Sequence, residues 1–166
     1  MTDTSGLSVD IIFSAEQWCK LSDIEPVILK AAKAAHTAIC KILDESGPHE
    51  VAINLSDDAT ITELNHSFLG KDKPTNVLSF PFEDDFPDLA EGPKPLGDII
   101  LAIETLTREA DEQNIELSHH VAHLVVHGIL HLFGYDHLVE DEAEGMEGLE
   151  VNILATLDIP SPYRTA

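Results

Sequence analysis

The sequence predicts one domain in which helices pack on a single β-sheet. Three observations carry that expectation. The chain has 166 residues, the length of one domain rather than two. Hydrophobic residues make up 43% of it, enough to fill one core. Stretches with helical spacing of apolar residues interleave with short strand-like runs.

The elements follow in order. Residues 9–13 read as a short strand. Over residues 24–43, Ile28, Ala32, Ala35, Ile39 and Ile42 recur at about 100° per residue and share one side of a helix. Lys30, Lys33 and Lys41 fall on the other side, as a solvated face or a docking surface for an acidic partner. Residues 51–55 are a second strand. Asp57 or Asp58 can cap a helix running to about residue 68, because a carboxylate there accepts from an exposed backbone N–H at the positive end of the dipole. Residues 77–80 and 99–103 are two more strands. Between them, residues 82–98 hold Pro87, Pro93 and Pro95 and the acids Glu83, Asp84, Asp85, Asp88 and Glu91. Proline removes backbone donors and like charges repel, so a long loop is expected there, either a solvated segment or a lid. A helix over residues 104–114 follows. Ser118 is expected to cap the next helix, which ends at Gly134, a position suited to positive φ. A last helix covers about residues 140–157, stopped by Pro160 and Pro162.

Composition excludes several function classes. With 31 Asp and Glu against 9 Lys and Arg, the net charge is −22. General attraction to a polyanion is thereby excluded, and any nucleic-acid contact must be local or helped by a bound cation. No apolar run approaches the roughly 18 residues of a membrane span. The first ten residues hold neither a cation nor an apolar segment, so a secretory signal is not expected. Cys19 and Cys40 form no C-x-x-C pair, which argues against a disulfide framework and for a reducing, cytoplasmic setting.

Six of the nine histidines lie between His119 and His137. His127 and His131, four residues apart on a helix, are separated by about 40° around the axis and about 6 Å along it, and such a pair can share a metal ion. Gly134 permits a sharp turn that brings His137 round to the same ion. Three neutral imidazoles leave one corner of a tetrahedron for water, the open pattern of a catalytic zinc. The reactive group in this reading is a zinc-bound water beside His127, and no protein general base is identified. His120 and His123 share the stripe and read as solvent-facing polar residues, opposite a buried face of Val121, Val125, Ile129 and Leu132. His119 reads as a surface residue, and His36, His49 and His66 as scattered residues with no common role. Asp136 suits a supporting role at the turn, and Tyr135 a packing one. A zinc protease carries Glu after the first histidine as general base. Here Gly128 stands in that place, so a phosphodiester is the better substrate than a peptide.

Residues 123–137, H-L-V-V-H-G-I-L-H-L-F-G-Y-D-H, resemble the signature of the bacterial YbeY family of rRNA-maturation endoribonucleases. Residues 70–81, G-K-D-K-P-T-N-V-L-S-F-P, resemble the family's G-K-D-x-P-T-D-V-L-S-F-P, and Leu96-Gly97-Asp98-Ile99 matches a third block. The acidic helix with Glu142, Glu144, Met146 and Glu147 also fits. The resemblance covers roughly residues 51–157. It implies a single-domain α+β fold, with a small mixed sheet of about four strands and a metal site on a helix and the following turn. It implies one Zn2+ per chain held by His127, His131 and His137. It implies single-strand-specific endoribonuclease activity in 16S rRNA 3′-end maturation and ribosome quality control. The implied partners are rRNA within ribosomal particles and ribosomal proteins or an assembly GTPase, with no DNA and no membrane. In this picture the strand at residues 76–80 borders the cleft.

The main departure from the family pattern is Leu69, where an arginine is usual before G-K-D-x-P-T; a smaller one is Asn76, where Asp is also common and which keeps the shape without the charge. Arginine offers phosphate a planar two-pronged set of donors, which leucine lacks. Lys71, Lys73 or Arg108 would then supply the substrate-binding charge, or else these are solvated surface residues. Two rival readings stay open: a metal-dependent peptide or amide hydrolase, and a non-catalytic ribosome-assembly factor in which zinc only ties the last helices together.

Overall fold

A computed structural model describes residues 6–45, 47–82, 92–134 and 140–163. Its strands are β1 (Leu7–Phe13), β2 (His49–Ser56), β3 (Val77–Pro81) and β4 (Lys94–Ala102). They form one sheet in the order β1-β2-β4-β3. The first three in that order run parallel, and β3 is antiparallel to β4. Five α-helices accompany the sheet: α1 (Ile24–Leu43), α2 (Asp58–Leu69), α3 (Ile103–Gln113), α4 (Leu117–Leu132) and α5 (Glu140–Ala155). The expected α+β fold with a mixed four-stranded sheet is therefore present.

Strand alternation sorts the apolar residues onto two faces. Ile53, Leu55, Ile99 and Leu101 are fully buried in the main core with Ile28, Ala32, Ala35 and Ile39 of α1 and Val121, Val125 and Ile129 of α4. Leu78, Ile100 and Ala102 belong to a smaller core with Ile61 of α2. Helix α4 comes close to the sheet at Gly128, where a Cβ would lie 2.8 Å from Ile99 Cδ1. This position faces the sheet, so Gly128 serves packing and no carboxylate fits in its place.

Several boundaries differ from expectation. Residues 94–98, assigned to the acidic loop, belong to β4. There the strand pairs with β2 from Lys94 and with β3 from Gly97, and its register against β2 shifts between Glu50 and Val51. The acidic core of that loop, residues 83–91, lies outside the described residues. Ile103 starts α3 instead of ending the strand. Asp57, of the two candidates, caps α2, its side chain accepting from the Thr60 N–H at 2.9 Å. Helix α4 begins at Leu117 with Glu116 in the cap position and no side-chain cap, so Ser118 lies inside the first turn. At its other end Gly134 has the expected positive φ, 96°. Ile42, in the last turn of α1, is 54% exposed and lies outside the core that Ile28, Ala32, Ala35 and Ile39 join. A 3-10 helix at Glu16–Lys20 went unanticipated. Five residues carry no helical period, yet its Trp18 is wholly buried and donates to the Ser56 carbonyl at 2.8 Å. No helix among the described residues is long and apolar enough to cross a membrane.

Candidate functional site

Helix α4 presents His120, His123, His127 and His131 along one side, as the four- and three-residue spacings require. The His127 and His131 rings stack nearly parallel, 7° apart in plane with centroids 6.4 Å apart. Both are half-buried. The structure thus brings together two of the three expected metal ligands. His137, and with it Tyr135 and Asp136, lies outside the described residues.

The upper part of the row is not the solvent-facing stripe expected. His120 is buried, and its Nε2 lies 2.9 Å from Glu109 Oε1 on α3. The same carboxylate oxygen accepts from Asn76 Nδ2 at 2.9 Å, which ties the entry to β3 to α4. His123 Nε2 lies 2.8 Å from Glu150 Oε1 of α5. The helix is covered on this side by α3 and α5, and an imidazole buried there needs an acceptor. His119 is partly exposed beside Glu116.

Glu150 organises the site and was missed in the sequence. It is wholly buried, 2.8 Å from His123 Nε2 and 3.5 Å (through Oε2) from His127 Nδ1, and Tyr163 Oη donates to it at 2.9 Å. Burial favours the neutral acid, but hydrogen bonds and charge from His123 and His127 outweigh it and hold the pKa at about 2. Burial, and then the Glu150 charge, push the Tyr163 hydroxyl far up, so it remains a donor. A signal existed: on α5, Glu150 falls in register with buried Met146, Ile153 and Leu154, an acid at a core position.

The geometry fits a metal. A carboxylate behind His127 favours the proton on Nδ1, the usual support for a metal-binding histidine. Nδ1 of His131 is buried with no hydrogen-bond partner among the described residues. Imidazole nitrogens are donors suited to a borderline cation such as zinc.

The candidate substrate-binding residues lie apart from this row in character. Lys71 and Lys73 are exposed on the segment between α2 and β3. That segment is pinned at its base, where buried Asn65 donates through Nδ2 to the Lys73 carbonyl at 2.9 Å. Arg108 reaches Thr105 Oγ1 at 3.2 Å and Asp58 Oδ2 at 3.9 Å. Leu69 closes α2 and is 56% exposed.

A second group was also overlooked. His36 and Cys40 on α1 meet His49 on β2, and their donor atoms all lie within 4.8 Å of one another, a set able to hold a metal ion. His36 and His49 are therefore not scattered residues. The i, i+4 spacing of His36 and Cys40 was legible; their meeting with His49 was not.

Comparison with known proteins is consistent with this geometry. The family model described as Endoribonuclease YbeY matches residues 14–158. An endoribonuclease YbeY of Bradyrhizobium diazoefficiens is 48% identical over 93% of this chain and 84% of its own length. One from Azorhizobium caulinodans is 45% identical over 95% of this chain and 96% of its own. A Thermotoga maritima protein solved in solution shares the fold, with a TM-score of 0.53 at 23% identity, covering 94% of this chain and 96% of that one. With the α4 histidine signature, the ordered motifs and near full-length similarity in agreement, the chain belongs to the YbeY endoribonuclease family.

Proposed function

We propose that this protein is a zinc-dependent, single-strand-specific endoribonuclease that acts in 16S rRNA 3′-end maturation and ribosome quality control in the cytoplasm. The observation that carries this reading is the parallel His127–His131 pair with buried Glu150 set behind His127. His127, His131 and His137 would hold one zinc ion. Bound there, zinc supplies Lewis acidity toward a phosphoryl oxygen of the scissile phosphate.

The chain's own residues do the rest. Glu150 fixes the His127 tautomer and ring plane, and Tyr163 and His123 hold Glu150 in turn. Asn76 and Glu109 hold the start of β3 against α4, where a cleft for the RNA strand would be bordered. Lys71 and Lys73 offer charge for phosphates near it, with Arg108 as a further candidate. Position 128 holds no carboxylate and faces Ile99, which disfavours peptide hydrolysis by the zinc-protease route. Partners in this reading are rRNA within ribosomal particles, ribosomal proteins and an assembly GTPase.

Leu69 favours a second reading, a non-catalytic assembly factor, since its exposed side chain cannot bind phosphate. One experiment separates the two. Precursor rRNA is incubated with wild type, His131→Ala and Leu69→Arg, with chelator and with zinc restored. The endoribonuclease reading expects chelation to abolish cleavage, zinc to restore it, His131→Ala to lower it at least about 100-fold and Leu69→Arg to raise it. Full cleavage by metal-free protein overturns the zinc-dependent mechanism. Zinc binding without cleavage in any form supports the assembly factor.

A further inference from the structure

Away from the α4 histidines, a second cluster of ligating side chains is assembled by tertiary contact. His36 and Cys40 stand one turn apart on α1, and His49 opens β2. His36 Nε2 lies 2.8 Å from His49 Nδ1, and Cys40 Sγ lies 3.4 Å from His36 Nε2. Both histidines are buried, and Cys40 is half-buried. The ring of Phe133, the residue that follows α4, packs on both, with centroids 6.1 Å from His36 and 5.4 Å from His49.

We propose that His36, Cys40 and His49 form a second cation site, for a thiophilic ion of the zinc class, distinct from the site on α4. The donor set comes first: two imidazole nitrogens and one sulfur are the ligands that such an ion prefers. The orientation of His49 is a second, independent observation. Its Nε2 faces Glu45 Oε1 at 3.4 Å, an acceptor that favours the proton on Nε2 and the lone pair on Nδ1, which faces the cluster. A carboxylate on the far nitrogen is the usual partner of a metal-ligating histidine.

Two of the three donor pairs stand at distances close to those of a loaded site, and all three donors lie within 4.8 Å of one another. Zinc held at about 2.0–2.1 Å from nitrogen and about 2.3 Å from sulfur sets tetrahedral ligand pairs about 3.3 Å (N–N) and about 3.6 Å (N–S) apart. The cluster shows 2.8 Å and 3.4 Å, so the rings need part by only about half an ångström. Ligation ionises the Cys40 thiol, whose proton leaves to solvent while the sulfur lone pair binds the ion. His36, whose Nε2–H donates to His49 Nδ1 in the metal-free cluster, exchanges that ring proton to Nδ1 through solvent and ligates through Nε2, with no net change in its charge. The charge change is one proton released per cation bound. With its three donors on α1 and β2, the ion would tie these two elements together.

The test uses the full chain, stripped of metal and titrated with Zn2+ and, as a spectroscopic probe, with Co2+. Cys40→Ser is expected to lower the number of zinc ions bound per chain by one, whatever the α4 site contributes. A sulfur-to-cobalt charge-transfer band is expected in wild type and in His131→Ala, and is expected to vanish in Cys40→Ser. An equal zinc count in wild type and Cys40→Ser, or a cobalt band that is absent from wild type or survives in Cys40→Ser, overturns the proposal in favour of a simple hydrogen-bonded cluster. A second measurement leaves the cluster intact. In Cys19→Ser, the one remaining thiol should react with a thiol reagent at least about tenfold more slowly once Zn2+ is added. An unchanged rate overturns the site even where Cys40→Ser fails to fold. Because the His131→Ala arm keeps this cluster whole, failure at α4 and failure here are distinguishable.

Discussion

Glu150 is a carboxylate with no exposed surface, surrounded by Met146, Ile153 and Leu154 from its own helix. Such a charge persists in a core only when partners compensate for lost hydration, and here His123, His127 and Tyr163 do so. Its consequence for the site runs through His127, whose ring it orients. Glu150→Gln retains the shape and removes the charge. That variant is expected to bind zinc about 10- to 100-fold more weakly than wild type while its circular dichroism is unchanged. Competition against a chelator of known affinity measures the difference, and equal affinities would leave Glu150 with a role in folding alone. His120, by contrast, pairs with Glu109 on α3 and serves to join helices.

The β3–β4 ladder depends on one glycine. Gly97 stands opposite Pro81 in the antiparallel register with φ of +139°. A Cβ there would run into the Phe80 carbonyl oxygen and lie 2.9 Å from Pro81 Cα and 3.0 Å from Leu132 Cδ2. Both the backbone conformation and the space demand glycine, which gives the Leu96-Gly97-Asp98-Ile99 motif a structural cause. Gly97→Ala is expected to cost about 3 kcal/mol in urea unfolding, and a loss under about 1 kcal/mol would show that the strands move apart freely. Helix α2 offers a test of pH dependence. The Thr60 N–H donating to Asp57 holds that carboxyl below its ordinary range. A folded pKa below the unfolded value means stability present above about pH 4 and lost as the pH falls through the folded pKa. Asp57→Ala should therefore cost about 1 kcal/mol at neutral pH, with the gap to wild type closing in acid. A pH-independent gap would assign the loss to something other than the charged cap.

Over the whole molecule, the net charge of −22 opposes RNA. The outer face of the sheet strengthens that opposition. Its trough, of about 1090 Å³, sets Asp10, Glu50 and Asp98 beside Phe68, Phe80 and Phe82 and is no path for a phosphate chain. Positive charge is sparse and local: five of the nine cations lie on the exposed Lys30, Lys33 and Lys41 side of α1 and on the Lys71–Lys73 segment. Free single-stranded RNA is accordingly expected to bind with a Kd weaker than about 10 μM in about 200 mM salt, and cleavage to be far faster on ribosomal particles than on naked RNA. Tight capture of free RNA at that salt, measured by fluorescence anisotropy, would refute dependence on a partner.

Local pattern determined most of the stretches that become helix or strand, because apolar period, cap residues and proline act within a few residues of one another. The limits of α1, the Asp57 cap, the turn at Gly134 and the His127–His131 pairing all have causes of that range. Tertiary structure decided everything that needs distant segments to meet. It extended β4 back through Pro95 by pairing it with β2, buried His120 under α3 and placed Glu150 behind His127. It also set His49 against His36 and Cys40. A charged or imidazole side chain reads as surface when only its neighbours in sequence are known. Whether it is surface, partner or ligand depends on which residues from elsewhere replace the water around it.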